Sequence, residues 1–458
     1  MQPAVRTRRR RTTTVVVPLP SAVRRVPLSP LDTRWVALPP MCHVFFFPAA
    51  AAQVPFSDIV SVLRSSLAAV LPAFHPLAGE VAYSPQLGTV SIVYGEDDAG
   101  GVAFVESETD LDFARLVADR DDDDDALLQL VPDIAQEELP APVFAAQVTE
   151  FVQGSRGIAL GVAFNHVAMD GIGFFRFMEM WGASAMAAAG ASSHATEPPL
   201  HDRRLVRFDG DEELAGRLLR QVAPDLPRIV PKQPGCTPQH QLLLSRRTFT
   251  FSAQALRRLK QRLTATRPEF AGAAPPSTFA TLAAHGWVCL ALASGFTDAA
   301  PVFAVFASDC RAHMSPPVPD AYVGNCVASC VVALSGEELT GADGPAVAFM
   351  AIRDAVTAAK QQDPLVDVSS LITKIRAIPP GRRVLVAGSP WFPAYAVDFG
   401  FGKPERVERA SLHQDGMMAV YAGKETGSVQ VSVAIAAEKM QAFERMFAVK
   451  SRSNMSRL

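Results

Sequence analysis

With 458 residues, 49% of them hydrophobic, the chain is long enough for two cores, and its length suggests two or three domains. A net charge of -3 leaves no basic excess of the kind that nucleic acid or an anionic membrane calls for. No uninterrupted apolar run approaches the roughly 20 residues needed to cross a bilayer, so neither a nucleic-acid nor a membrane partner is expected.

In chain order, Arg6 and Arg8 to Arg11 read as a frayed basic tail before a first strand over 12–17. Ile59, Val60, Leu63, Leu67 and Leu71 fall at helical spacing, which predicts a helix behind a Ser57 cap. Residues 88–94 and 143–152 read as strands. The five aspartates 121–125 read as a solvated loop, because consecutive like charges repel and lack the glycine turn of a calcium site. The turn-like 153–157 then joins 143–152 to a short apolar strand, 158–164, as a hairpin. Asn165 and His166 follow at the end of that strand. Asp170, Gly171 and Gly173 suggest a tight glycine turn before a helix starting at Phe174.

Between 186 and 239 the chain turns rich in Ala, Gly and then Pro (Pro198, Pro199, Pro224, Pro227, Pro231, Pro234, Pro238). Prolines at this density oppose continuous helix, which predicts a surface crossover that carries Asp202, Arg203 and Arg204 and separates units 1–185 and 240–458. In the second unit a strand over 242–251 precedes a helix capped by Ser252. Ser277 caps a long apolar helix ending before Gly295. Strands are expected over 301–308, 323–334 and 428–435, the last with Val429, Val431, Val433 and Ile435 on a buried face and Gln430 and Ser432 on a more polar one.

The chemistry concentrates at His166. A cleft imidazole can take a proton from a hydroxyl or amine as it attacks a carbonyl carbon. On its own, a His-x-x-x-Asp such as His166 with Asp170 is more often a backbone-bonded histidine followed by a helix cap. A metal pair lacks a third ligand at workable spacing, and Cys326 and Cys330 lack partners, so no metal is expected. The six cysteines (42, 236, 289, 310, 326, 330) form no Cys-x-x-Cys pair and follow no secretory signal; they read as reduced core residues of a cytosolic protein. There is no Gly-x-Ser-x-Gly elbow and no cysteine with an adjacent base, which favours direct transfer over an acyl-enzyme.

His166-x-x-x-Asp170-Gly171, followed far downstream by Asp398-Phe399-Gly400-Phe401-Gly402-Lys403-Pro404, resembles the BAHD family of plant acyl-CoA-dependent acyltransferases. Leu31 to Pro40, Pro76 to Gly79, Asp309-Cys310-Arg311 and Tyr322 to Cys326 fall in the family's order. The resemblance implies an α/β fold of two similar domains, related to chloramphenicol acetyltransferase, joined by a long crossover, with the active site in a channel between them. It implies His166 as general base in a ternary complex, with acyl-CoA as co-substrate and no bound cofactor. It also implies Asp170 paired with an arginine, by position Arg311, and a structural loop near the CoA entrance at 398–402, where Phe401 replaces the usual tryptophan and lacks its indole N-H. Tyr322-Val323-Gly324-Asn325-Cys326 is similar to the signature of the clade that malonylates anthocyanins and phenolic glucosides. The acceptor is thus expected to be a phenolic or flavonoid glucoside and the protein a cytoplasmic monomer. Hydroxycinnamoyl transfer to an amine or alcohol is the alternative, and a silent ligand-binding homologue a second. A malonyl carboxylate would want an arginine near His166, for which Arg176 is a candidate by sequence proximity alone.

Overall fold

The computed structural model describes residues 6–18, 25–48, 54–94, 99–118, 124–134, 137–188, 197–206, 211–229, 244–266, 275–365, 368–412 and 414–448. Two six-stranded mixed sheets dominate it. The wholly apolar strand Gly157–Phe164 is buried at every position and lies inside the first sheet, between Phe144–Phe151 and Met41–Pro48, where both of its faces are covered. Thr7–Pro18 is the edge strand beside Ala99–Thr109. The arginine run expected as a frayed tail is therefore part of a strand, with Arg10 held by Glu108 at 2.7 Å and Glu150 at 2.8 Å, and its charges blunt an edge that would otherwise invite pairing.

At the opposite edge the sixth strand, Arg406–Arg409, pairs antiparallel with Met41–Pro48. It comes from the second half of the chain, which thus lends one strand to the first sheet. The second sheet runs Leu244–Phe251, Val429–Ala436, Met417–Ala422, Arg383–Gly388, Pro301–Asp309, Val327–Ser335. Helices Ala253–Thr266, Thr278–Ala293, Gly344–Gln361 and Ala437–Phe447 cover one of its faces, where Val429, Val431, Val433 and Ile435 are buried. The expected polar face of that strand is buried too. It meets the first sheet's strand Arg406–Arg409: Gln430 Nε2 donates to the Val407 carbonyl at 2.7 Å, and Ser432 Oγ to Glu408 at 3.1 Å. Polar side chains there satisfy polar groups across a seam rather than facing water.

Ser252 and Ser277 cap their helices as expected, accepting from the Ala255 and Ala280 amides at 3.2 Å each. Ser57 does not: helix Phe56–Val70 starts two residues earlier, behind Pro55, and the Ser57 hydroxyl turns to Asp58. The crossover also departs from expectation. Its proline-free stretch forms helix Asp211–Val222, which buries Leu218, Leu219 and Val222. Of the aspartate run, 121–123 lie outside the described residues and Asp124 and Asp125 open helix Asp124–Gln129 instead of a loop. The strand expected from Val323 begins at Val327, because the preceding residues serve the site described next.

Candidate active site

His166 sits on a turn between strand Gly157–Phe164 and helix Gly171–Ala188. That helix begins at Gly171, so Gly171 and Gly173 occupy its first turn and are not a separate glycine turn. They are small for packing: a Cβ at Gly171 would lie 2.5 Å from the Phe392 ring, and one at Gly173 would lie 3.1 Å from Val323. Both neighbours come from the second half of the chain.

The imidazole stacks on Trp35 with ring centroids 4.3 Å apart and planes 17° from parallel. Its Nδ1 is sealed and has no hydrogen-bond partner among the described residues, while the residue as a whole keeps partial exposure. Burial pushes its pKa down from 6.5 to about 4, opposed first by the ring's interaction with its own backbone and then by Asp170, while the positive fields of Arg409 and Arg34 act with burial. The ring is therefore neutral across the physiological range.

Asp170 fulfils both roles weighed for it. Its Oδ1 accepts from the Ile172 and Gly173 amides at 3.1 Å each, capping the helix. Arg311 Nη2 donates to Oδ2 at 2.9 Å and Oδ1 at 3.1 Å, and the Cys326 amide to Oδ2 at 3.1 Å. Arg311 also holds Asp309 at 2.8 Å. The carboxylate does not point at the imidazole; it ties the loop to the second half of the chain.

A second clamp was not legible in the sequence. Asp32, wholly buried behind its Ser29 capping box, accepts from the Asn325 amide at 3.1 Å and Nδ2 at 2.8 Å, and pairs with Arg203 at 3.0 Å. Asn325 Nδ2 donates onward to the His166 carbonyl at 2.9 Å. Arg203 Nη2 donates to the Ala168 carbonyl at 2.7 Å and Nη1 to that of Val323 at 2.9 Å. Both backbone carbonyls flanking Val167 are thus pinned by side chains from elsewhere. Arg203, expected on the surface of the crossover, is 6% exposed, because Leu200 docks against Tyr322 and Val323 and carries the segment inward.

The 398–402 loop lies on another part of the same helix. Asp398 Oδ1 accepts from the Gly400 and Gly402 amides at 2.9 and 3.1 Å, and both glycines have positive φ, 93° and 104°. Phe399 packs edge-on against Trp181 at 5.1 Å, and Phe401 edge-on against Phe47 at 5.0 Å. The ring of Phe401 thus retains an aromatic packing role without the indole donor. Arg176 bonds the Glu197 carbonyl at 2.6 Å. No group of three or more potential metal ligands occurs among the described residues.

The chain matches the Transferase family over residues 5–449. The BAHD acyltransferase DCR of Arabidopsis thaliana is 32% identical over 409 residues, which cover 84% of this chain and 79% of that protein. The chain belongs to the BAHD acyltransferase family. It is an acyl-CoA-dependent O-acyltransferase. Phenolic glucoside malonyltransferase 1 of Arabidopsis thaliana is 29% identical over 90% of each chain. Vinorine synthase has the same fold at a TM-score of 0.72 and 18% identity, over 96% of this chain and 97% of that one, in keeping with two chloramphenicol-acetyltransferase-like domains. In this BAHD enzyme His166, Asp170, Gly171 and Arg311 come together, whereas Asp398 to Gly402 contact Trp181 and Phe47 rather than the histidine loop. Asp32, Trp35, Arg203 and Asn325 join the first group. Leu31 to Pro40 and Tyr322 to Cys326 carried the resemblance, but nothing in their spacing says that Asp32 and Asn325 meet.

Proposed function

We propose that this acyltransferase moves an acyl group, malonyl in preference, from CoA to a hydroxyl of a phenolic or flavonoid glucoside, with His166 as general base in a ternary complex. The observation that carries this reading is a neutral imidazole, carried by a residue of intermediate exposure, on a loop clamped from both halves of the chain. With Nδ1 sealed, Nε2 is the nitrogen left for a reactant. The acceptor O-H proton passes to Nε2 as the oxygen bonds to the thioester carbonyl carbon; the tetrahedral intermediate then expels CoA thiolate, which recovers that proton from the imidazolium. Asp170, Gly171 and Arg311 hold the loop, and the 398–402 turn shapes the CoA side of a channel between the domains.

Malonyl and a phenolic glucoside are favoured by the names of the relatives, phenolic glucoside malonyltransferase 1 among them. The aromatic rings around His166, Trp35 and Phe164, suit the second reading, a hydroxycinnamoyl donor. We read the enzyme as a cytoplasmic monomer, which suits its free cysteines at 42, 289, 310, 326 and 330; no helix among the described residues is long and apolar enough to cross a membrane. The test is one panel, malonyl-, acetyl-, coumaroyl- and feruloyl-CoA against phenolic glucosides and amines, with products read by mass. Malonylated glucoside as the main product supports the reading. Hydroxycinnamoyl amides as the main product replace it with the alternative.

A further inference from the structure

Arg409 ends the strand that the second half lends to the first sheet. It faces His43 directly across the antiparallel pair, so the two side chains share a face of the sheet. On that face the His43 ring stacks on Phe174 at 4.5 Å and lies 6.3 Å from Phe164, whose ring is 6.4 Å from that of His166. Arg409 Nη2 reaches Met41 Sδ at 3.1 Å, and Met41 is the strand partner of Phe164, two residues before His166. The guanidinium therefore lies one layer of side chains from the imidazole.

No carboxylate among the described residues contacts this cation, and the field of Arg246 acts against it. Its contacts among the described residues are Met41 Sδ, Ser411 Oγ at 3.4 Å and the Tyr421 hydroxyl, which also bonds His43 Nε2 at 3.1 Å. Its neighbour in the chain, Glu408, is held by Arg246 and Arg406 at 2.8 Å each. Arg409 is 7% exposed, and burial lowers its pKa. A cation taken out of water without a counter-charge is unfavourable, and an anion brought by the substrate would supply the one this site lacks. His43 Nδ1 beside it is sealed and has no hydrogen-bond partner among the described residues. The other arginines near the site are already engaged: Arg203 pairs with Asp32 and Arg311 with Asp170, Arg34 is spread over Ser329, the Val327 carbonyl and the Trp35 ring, and Arg176 is turned to the Glu197 carbonyl.

We propose that Arg409 recognises the free carboxylate of a dicarboxylic acyl donor, selecting malonyl-CoA over neutral acyl-CoA thioesters of similar size. This rests on His166 marking the point of acyl transfer. No bond is made or broken at Arg409; the acyl carboxylate supplies the counter-ion, as a planar guanidinium can bind it through two N-H groups.

The test compares wild type with Arg409→Met and Arg409→Lys in two readouts: kcat/KM for malonyl-CoA and acetyl-CoA, and binding of the same two thioesters to the His166→Ala protein with and without each change. Arg409→Met is expected to lower the malonyl-to-acetyl ratio of kcat/KM by about 100-fold, the effect of removing one member of a buried charge pair, and to remove the tighter binding of malonyl-CoA. Arg409→Lys is expected to retain part of both, and it gives the ratio even where the methionine variant does not fold. Equal losses with both donors, or wild type that binds malonyl-CoA no more tightly than acetyl-CoA, would overturn the assignment. Failure of His166 as the base reads differently: His166→Ala would still turn over, while the binding preference measured in it would still report on Arg409.

Discussion

At the scale of single residues, the pH dependence of His166 is the sharpest consequence of the site. Its ordinary pKa of 6.5 falls to about 4 because burial disfavours the imidazolium. Only the neutral ring can accept a proton, so kcat/KM is expected to hold level as pH drops through 6.5 and to be lost as it falls through about 4. A pH-rate profile in the free-enzyme regime measures this, and an acid limb centred near 6.5 would contradict it. Asp170 behaves differently, because it is a cap and an ion-pair partner at once. Asp170→Ala leaves Arg311 buried without its main counter-charge and is expected to cost about 3–5 kcal/mol in urea unfolding, with reduced turnover. The sequence disclosed His166 and Asp170 because their spacing is local. It did not disclose Asp32, Arg203 or Asn325, since a buried arginine in a proline-rich stretch has the same neighbours in sequence as an exposed one.

At the scale of elements, the long helix Gly171–Ala188 links the histidine loop to the 398–402 turn. Gly182 marks the second contact: a Cβ there would lie 2.7 Å from the Asp398 carbonyl oxygen. Gly182→Ala is expected to destabilise by about 1–3 kcal/mol despite alanine's better helix propensity. Gly216→Ala, in helix Asp211–Val222 where the nearest atom is the end of the Arg220 side chain at 3.5 Å, is expected to stabilise by up to about 1 kcal/mol. Unfolding midpoints of the two variants check the opposite signs. Serine caps at 252 and 277 and the alternation from Val429 to Ile435 were readable because they are periodic or adjacent. Helix Asp211–Val222 was not, because prolines on either side of it outweighed the proline-free stretch between them.

At the scale of the whole molecule, two sheets meet across a seam that buries the more polar face of strand Val429–Ala436. Ser432, Gln430 and Glu408 are buried there because strand Arg406–Arg409 joins the other sheet, a long-range pairing that no local pattern encodes. The same crossing ties Asp32 to Asn325 and Asp170 to Arg311, so the histidine loop is held by residues far apart in the chain. The fold class was open to inference from alternating strands and helices and from the ordered motifs; the second clamp on the loop was not. The measurement that bears most directly on this arrangement is acyl transfer by purified His166→Ala with a donor and acceptor that wild type uses, its fold checked by circular dichroism. Loss of turnover with an unchanged spectrum and melting curve is expected; substantial transfer by the folded variant would contradict a role for this imidazole as the base.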